Sequence, residues 1–100
     1  MRSTIFLIIL ALALPLHADS AALYKTKCAM CHGPAGTGDT AVGKKMGIRS
    51  FASADVQKQT DAQLIDVITK GKGKMIAFGG KLSADEIKAL VVHIRTFAKK

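Results

Sequence analysis

The chain has 100 residues and a formal net charge of +8, with 15 Lys and Arg against 7 Asp and Glu. A length like this allows one small domain with little core per unit surface, so a staple of some kind is expected. The 2 cysteines are too few for a disulfide framework, and 1 Tyr, 4 Phe and no Trp give no stacking stripe for nucleic acid, so the basic charge points to an anionic membrane or an acidic protein partner.

The N-terminus reads as an export address. Arg2 supplies a positive start, Ile5 to Leu14 is an uninterrupted apolar run, and Pro15-Leu16-His17-Ala18 has the small-residue ending of a cleavage region. The run is shorter than the roughly 20 apolar residues a transmembrane helix needs. An uncleaved anchor is the alternative. Cleavage after Ala18 leaves residues 19–100 as the mature domain in the periplasm, and His17 departs with the leader.

A first helix is expected from about Ser20 to Cys31, capped by Asp19 or Ser20, with Tyr24 and Cys28 on one face. It runs into Cys28-Ala29-Met30-Cys31-His32, which has the C-x-x-C-H spacing of covalent haem attachment. Two intervening residues place both sulfurs on one side of a helical turn, where they can add across two vinyl groups. His32, next in line, can then offer an imidazole nitrogen to iron. A redox disulfide would call for a βαβ context, and the strand signals for one are absent. A zinc site would call for a second ligand pair, and Cys28 and Cys31 are the only cysteines. Covalently held haem would also be the missing staple, with its flat apolar face as the centre of the core. The apo-chain is therefore expected to be largely unfolded.

Residues 33–48 read as loop, with glycines at 33, 36, 38, 43 and 47 and turn character from Pro34 and Asp39. The G-x-G at 36–38 has no preceding strand and no following G-K-[ST], so it is no phosphate loop. Ser53 can cap a short helical turn running to Gln59. Thr60-Asp61-Ala62-Gln63 is a capping box that opens a helix with Leu64, Ile65 and Ile68 on its apolar face and Gly71 at its end. Residues 71–82 form a lysine- and glycine-rich loop around Met75. Ser83-Ala84-Asp85-Glu86 is a second capping box, and Ile87, Leu90, Val91, Ile94 and Ala98 follow with helical spacing. No stretch alternates long enough to be a strand.

These motifs, in this order, resemble the small class I cytochromes c, close to bacterial cytochromes c-551, c-553 and c6. The resemblance covers residues 20–98. It rests on Tyr24 four residues before the first Cys, C-A-M-C-H at 28–32, G-K-G-K-M at 71–75, and the terminal helix L-S-A-D-E-I-K-A-L. It implies an all-α class I cytochrome c fold around one covalently bound haem, with the first and last helices crossing. It also implies haem c held by Cys28 and Cys31, with His32 as proximal and Met75 as distal iron ligand. The expected function is one-electron transfer between periplasmic redox partners, with no substrate chemistry and no enzyme activity. A thioether is soft and neutral, favours ferrous iron and closes the sixth position to oxygen. Met75 as a core filler is the bland alternative. Met46 and His93 are weaker candidate ligands, and Met30 sits inside the attachment turn.

Two residues depart from the family pattern. Ile76 follows Met75 where Pro is usual, which predicts a softer loop, and His93 stands where an aromatic residue is usual. His32 is expected to donate its other ring nitrogen to a carbonyl of the 33–48 loop, and Arg49 is a candidate partner for a haem propionate. Tyr24, Ile48, Phe51, Leu64, Ile68, Phe78, Leu90 and Ile94 are the expected haem-facing or helix-crossing residues. Lys44, Lys45, Lys70, Lys72 and Lys74 form a basic cluster that would steer acidic protein partners, a reductase donor and an oxidase or other acceptor. A merely solvated basic face is the alternative. No nucleic acid partner and no stable membrane insertion of the mature domain are expected, and a monomer is the simplest assembly. Alternative roles are a dedicated electron-entry subunit of one enzyme and a ligand-binding haem sensor or peroxidase.

Overall fold

The computed structural model describes residues 20–98; the expected export segment at residues 1–18 and the candidate cap Asp19 lie outside them. The described residues fold into helices α1 (Ser20–Lys27), α2 (Ala29–His32), α3 (Ala41–Met46), α4 (Ala54–Gln57), α5 (Asp61–Lys70) and α6 (Ala84–Arg95). Among them there is no strand, only an isolated bridge between Lys72 and Met75.

Local chemistry sets the two long helices. At the start of α5, Gln63 N donates to Thr60 Oγ1 at 3.1 Å, and Thr60 N donates to Gln63 Oε1 at 2.8 Å. Ser83 and Glu86 repeat the same reciprocal box at the start of α6, at 3.1 and 2.8 Å. Each box satisfies two of the amides a helix start leaves orphaned. Gly71 ends α5 at φ +78°, and a methyl there would stand 2.6 Å from the Met75 carbonyl oxygen. Glycine is required twice over, by conformation and by space.

α1 packs across α6, and α5 packs beside α6. Their apolar faces build one core of Tyr24, Val56, Leu64, Ile68, Phe78, Leu82, Ile87, Leu90, Val91 and Ile94. Leu90 is fully buried at the centre. Ile48 and Phe51, also expected to face the haem or the helix crossing, are half-buried.

Two local expectations need correction. The first helix is broken at Cys28: α1 stops at Lys27, and the chain restarts as the α2 turn. The 33–48 loop contains α3, capped by Thr40, whose hydroxyl accepts from Gly43 N and donates to Cys31 O, both at 2.7 Å. One glycine and two lysines within α3 erase the apolar periodicity that would announce a helix. Gly43 is needed for packing. A methyl there would collide with the Gly38 carbonyl oxygen and sit 2.7 Å from that of Cys31.

Arg95, at the end of α6, is a further structural tie. Its guanidinium donates to Gln57 O at 2.9 Å, to Gln59 O at 2.6 Å and to Asp61 Oδ1 at 2.8 Å. Gln57 in turn donates to Phe51 O at 2.6 Å and to Ile94 O at 3.1 Å. One fork thus clamps the α4–α5 connection onto the terminal helix. Arg95→Lys keeps the charge but cannot reproduce the fork. It is expected to cost about 1–3 kcal/mol, read as a lower denaturation midpoint of the holoprotein. An unchanged midpoint would deny the clamp any stabilising role.

Candidate haem site

The α2 turn is wound by Cys31 N and His32 N donating to Cys28 O, at 3.2 and 3.0 Å, and by Gly33 N donating to Ala29 O at 2.8 Å. It presents Cys28, Cys31 and His32 together to a cavity of about 540 Å³, within the ~300–1,000 Å³ range of small-molecule sites. Met75 lines the same cavity, and Ile48 and Phe78 help wall it. Both thiols are free and half-buried. Burial, and then the neighbouring Cys31, push the Cys28 thiol up to about 11. Burial lowers the pKa of His32 and so favours its neutral imidazole, the form that binds metal. Two unpaired thiols and an imidazole whose neutral form is favoured, facing an apolar chamber that a thioether also lines, are a donor set that suits haem c, so the residues fit the group.

The orientation of His32 differs from expectation. Nδ1 is buried and has no hydrogen-bond partner, whereas a loop carbonyl was expected to receive it. Three of the loop's glycine carbonyls are engaged elsewhere. Gly33 O accepts from Tyr24 Oη at 2.6 Å and from Gly36 N at 3.0 Å. Gly36 O accepts from Phe51 N at 2.8 Å, and Gly38 O from Thr40 N at 2.9 Å. The His32 ring instead lies against Phe51, with centroids 4.4 Å apart and planes 23° from parallel.

Met75 is delivered by a tight turn. Lys72 N donates to Met75 O at 3.3 Å, and Met75 N donates to Lys72 O at 2.9 Å. The turn is bonded on both sides despite Ile76. Met75 packs against the core. Met46 and Met30 also border the cavity, but they are 44% and 79% exposed. His93 is not among the cavity-lining residues. It packs on Tyr24 at 4.7 Å and on Phe97 at 5.0 Å, at the α1–α6 crossing, where burial lowers its pKa. Arg49 pairs with Asp55 at 3.3 Å on the exposed surface.

The basic cluster divides. Lys44 is paired with Asp39 at 3.1 Å and Lys70 with Asp66 at 2.9 Å. Lys72 and Lys74 line the cavity with Lys27, outside every ion pair found among the described residues. Lys45 is likewise unpaired there. Exposed Met30, Met46 and Ile76 lie among these cations at the cavity. Among the described residues, no helix is long and apolar enough to cross a membrane.

Comparison with known proteins agrees with this geometry. The family described as cytochrome C oxidase, cbb3-type, subunit III matches residues 15–94. The chain is 30% identical over 82 residues to cytochrome c6 of Microcystis aeruginosa, covering 82% of this chain and 98% of that protein. It is 34% identical over 86 residues to cytochrome c6 of Leptolyngbya boryana, covering 83% and 98%. Among solved structures it is similar to the KustC0563 c-type cytochrome, with a TM-score of 0.75 and 40% identity, covering 81% of this chain and 99% of that one. A helical fold without strands among the described residues, a C-x-x-C-H turn opening on an apolar chamber and these relatives lead to one conclusion: the chain belongs to the small class I c-type cytochromes, a family of electron carriers rather than enzymes.

Proposed function

We propose that this chain is a mobile periplasmic carrier holding one haem c, joined through Cys28 and Cys31, with His32 and Met75 as axial ligands. The observation that carries the reading is the convergence of those four side chains on one chamber. The haem iron supplies the reversible ferric–ferrous couple. His32 offers a neutral nitrogen from the attachment turn, and Met75 offers a sulfur from the bonded 72–75 turn. Ile48 and Phe78 help keep the chamber dry, which limits the solvent reorganisation that accompanies a change of charge. The leader at residues 1–18 supports delivery to the periplasm, where the two thiols would be joined to haem.

Lys27, Lys72 and Lys74 line the chamber outside every ion pair found among the described residues, which supports steering toward acidic redox partners. The double substitution Lys72→Glu and Lys74→Glu is expected to slow electron exchange with an acidic protein acceptor at least tenfold at low salt. Added salt is expected to narrow the difference, because exposed charges are screened within about 10 Å at 0.1 M ionic strength. Equal rates at low salt would remove the lysines from the function. The match to a cbb3-type oxidase subunit favours a second reading, a haem module serving one oxidase. Stable co-purification with a single membrane oxidase would select it over a mobile carrier.

A further inference from the structure

We infer that Phe51 positions the iron-binding imidazole of His32, taking the place of the hydrogen bond that usually fixes such a ring. The inference rests on the proposal that His32 binds the iron.

A ligand imidazole rotates about its bond to the metal unless something holds its plane. The usual restraint is an acceptor for the second ring nitrogen, which also makes the ring a stronger donor. That restraint is missing here, since Nδ1 is buried without a partner. The remaining restraint is a flat face. Phe51 lies 4.4 Å from the imidazole and 23° from parallel to it. Turning the histidine plane would drive a ring edge into that face, so the stack sets the angle.

Phe51 is itself held by several neighbours. Its amide donates to Gly36 O at 2.8 Å, and its carbonyl accepts from Gln57 Nε2 at 2.6 Å. Phe97 stacks behind it at 5.9 Å, and Tyr24 meets it edge-on at 6.2 Å. A methyl on Gly36 would stand 3.0 Å from the Phe51 ring, so the glycine leaves room for this packing. The ring behaves as a fixed wall rather than a mobile filler.

Two consequences follow for the iron. The azimuth of the imidazole plane, together with the second axial ligand, sets how the ferric unpaired spin is shared among the haem methyl groups, so Phe51 contributes to that pattern. An Nδ1–H without an acceptor leaves the ring a weaker donor, which disfavours ferric iron and raises the reduction potential. Phe51 touches the ligand and not the reacting metal, so it is a positioning residue.

The test is made on the holoprotein. In the ferrous form, proton NMR is expected to show cross-peaks between the rings of His32 and Phe51; their absence overturns the inference without any variant. In the ferric form, Phe51→Leu is expected to change the order of the four haem methyl shifts, and Phe51→Tyr, which keeps the flat face, to restore it. Leu82→Val loosens the buried core away from the His32–Phe51 pair and is expected to keep the wild-type order. An unchanged order in Phe51→Leu, or the same change in Leu82→Val, overturns the inference. Failure of the underlying reading looks different: His32→Gly would then retain the wild-type low-spin spectrum.

Discussion

Replacing Cys28 and Cys31 together by serine is expected to yield a chain that neither retains haem under denaturing conditions nor holds its helices without it. The core is built around one end of the cofactor chamber. Cys28 and Met75 pack against the buried cluster, and Phe78 belongs both to that cluster and to the chamber wall. A core of this size supplies on the order of 3–5 kcal/mol by itself. Emptying an apolar chamber of about 540 Å³ therefore removes contacts worth about as much as the whole margin of stability. The covalent bonds also keep haem at the site however dilute the protein becomes, which a reversibly bound ligand does not. The checks are haem staining after denaturing electrophoresis and far-ultraviolet circular dichroism. A stably helical, haem-free double variant would show that the polypeptide core suffices.

Met75→Ala is expected to open the sixth iron position. Ferric protein should lose the sulfur-to-iron charge-transfer band and turn high-spin, its potential should fall, and ferrous protein should bind carbon monoxide rapidly. The thioether is what favours the ferrous state, and an alanine cannot span the chamber. Truncating a half-buried Met should also cost about 2 kcal/mol in packing. Met46→Ala is the control. Met46 borders the same chamber but is 44% exposed and stands outside the core cluster, so its removal should leave the spectrum unchanged. Loss of the band in Met46→Ala, with retention in Met75→Ala, would move the distal ligand to the α3 end. Met75 is tied to Lys72 by back-to-back hydrogen bonds, and Ile76 follows it with a free φ and an amide N–H where proline would have neither.

The features legible in the sequence are those whose causes are local. Both capping boxes, the Gly71 stop and the apolar faces of α5 and α6 depend on residues within a turn or two of one another, and each stands where the pattern put it. The C-x-x-C-H spacing is likewise a property of a single turn. What escaped the sequence depends on distant partners. Arg95 is tied to residues 34–38 positions away, and nothing near it in the chain announces that role. α3 lacks periodicity because its glycine is dictated by carbonyls of Gly38 and Cys31 rather than by a helix face. The missing acceptor for His32 Nδ1 is a matter of three-dimensional placement, and the sequence shows only that a suitably placed proline is absent. The exposed pair of Arg49 with Asp55 at 3.3 Å joins residues six apart with no local pattern to announce it.

The most direct test is a spectroelectrochemical titration of the purified, exported protein. A single reversible one-electron transition is predicted, with low-spin six-coordinate spectra at both ends and the sulfur-to-iron band in the ferric state. A high-spin spectrum in either state, or a ferric state without that band, would contradict a His32/Met75 electron carrier.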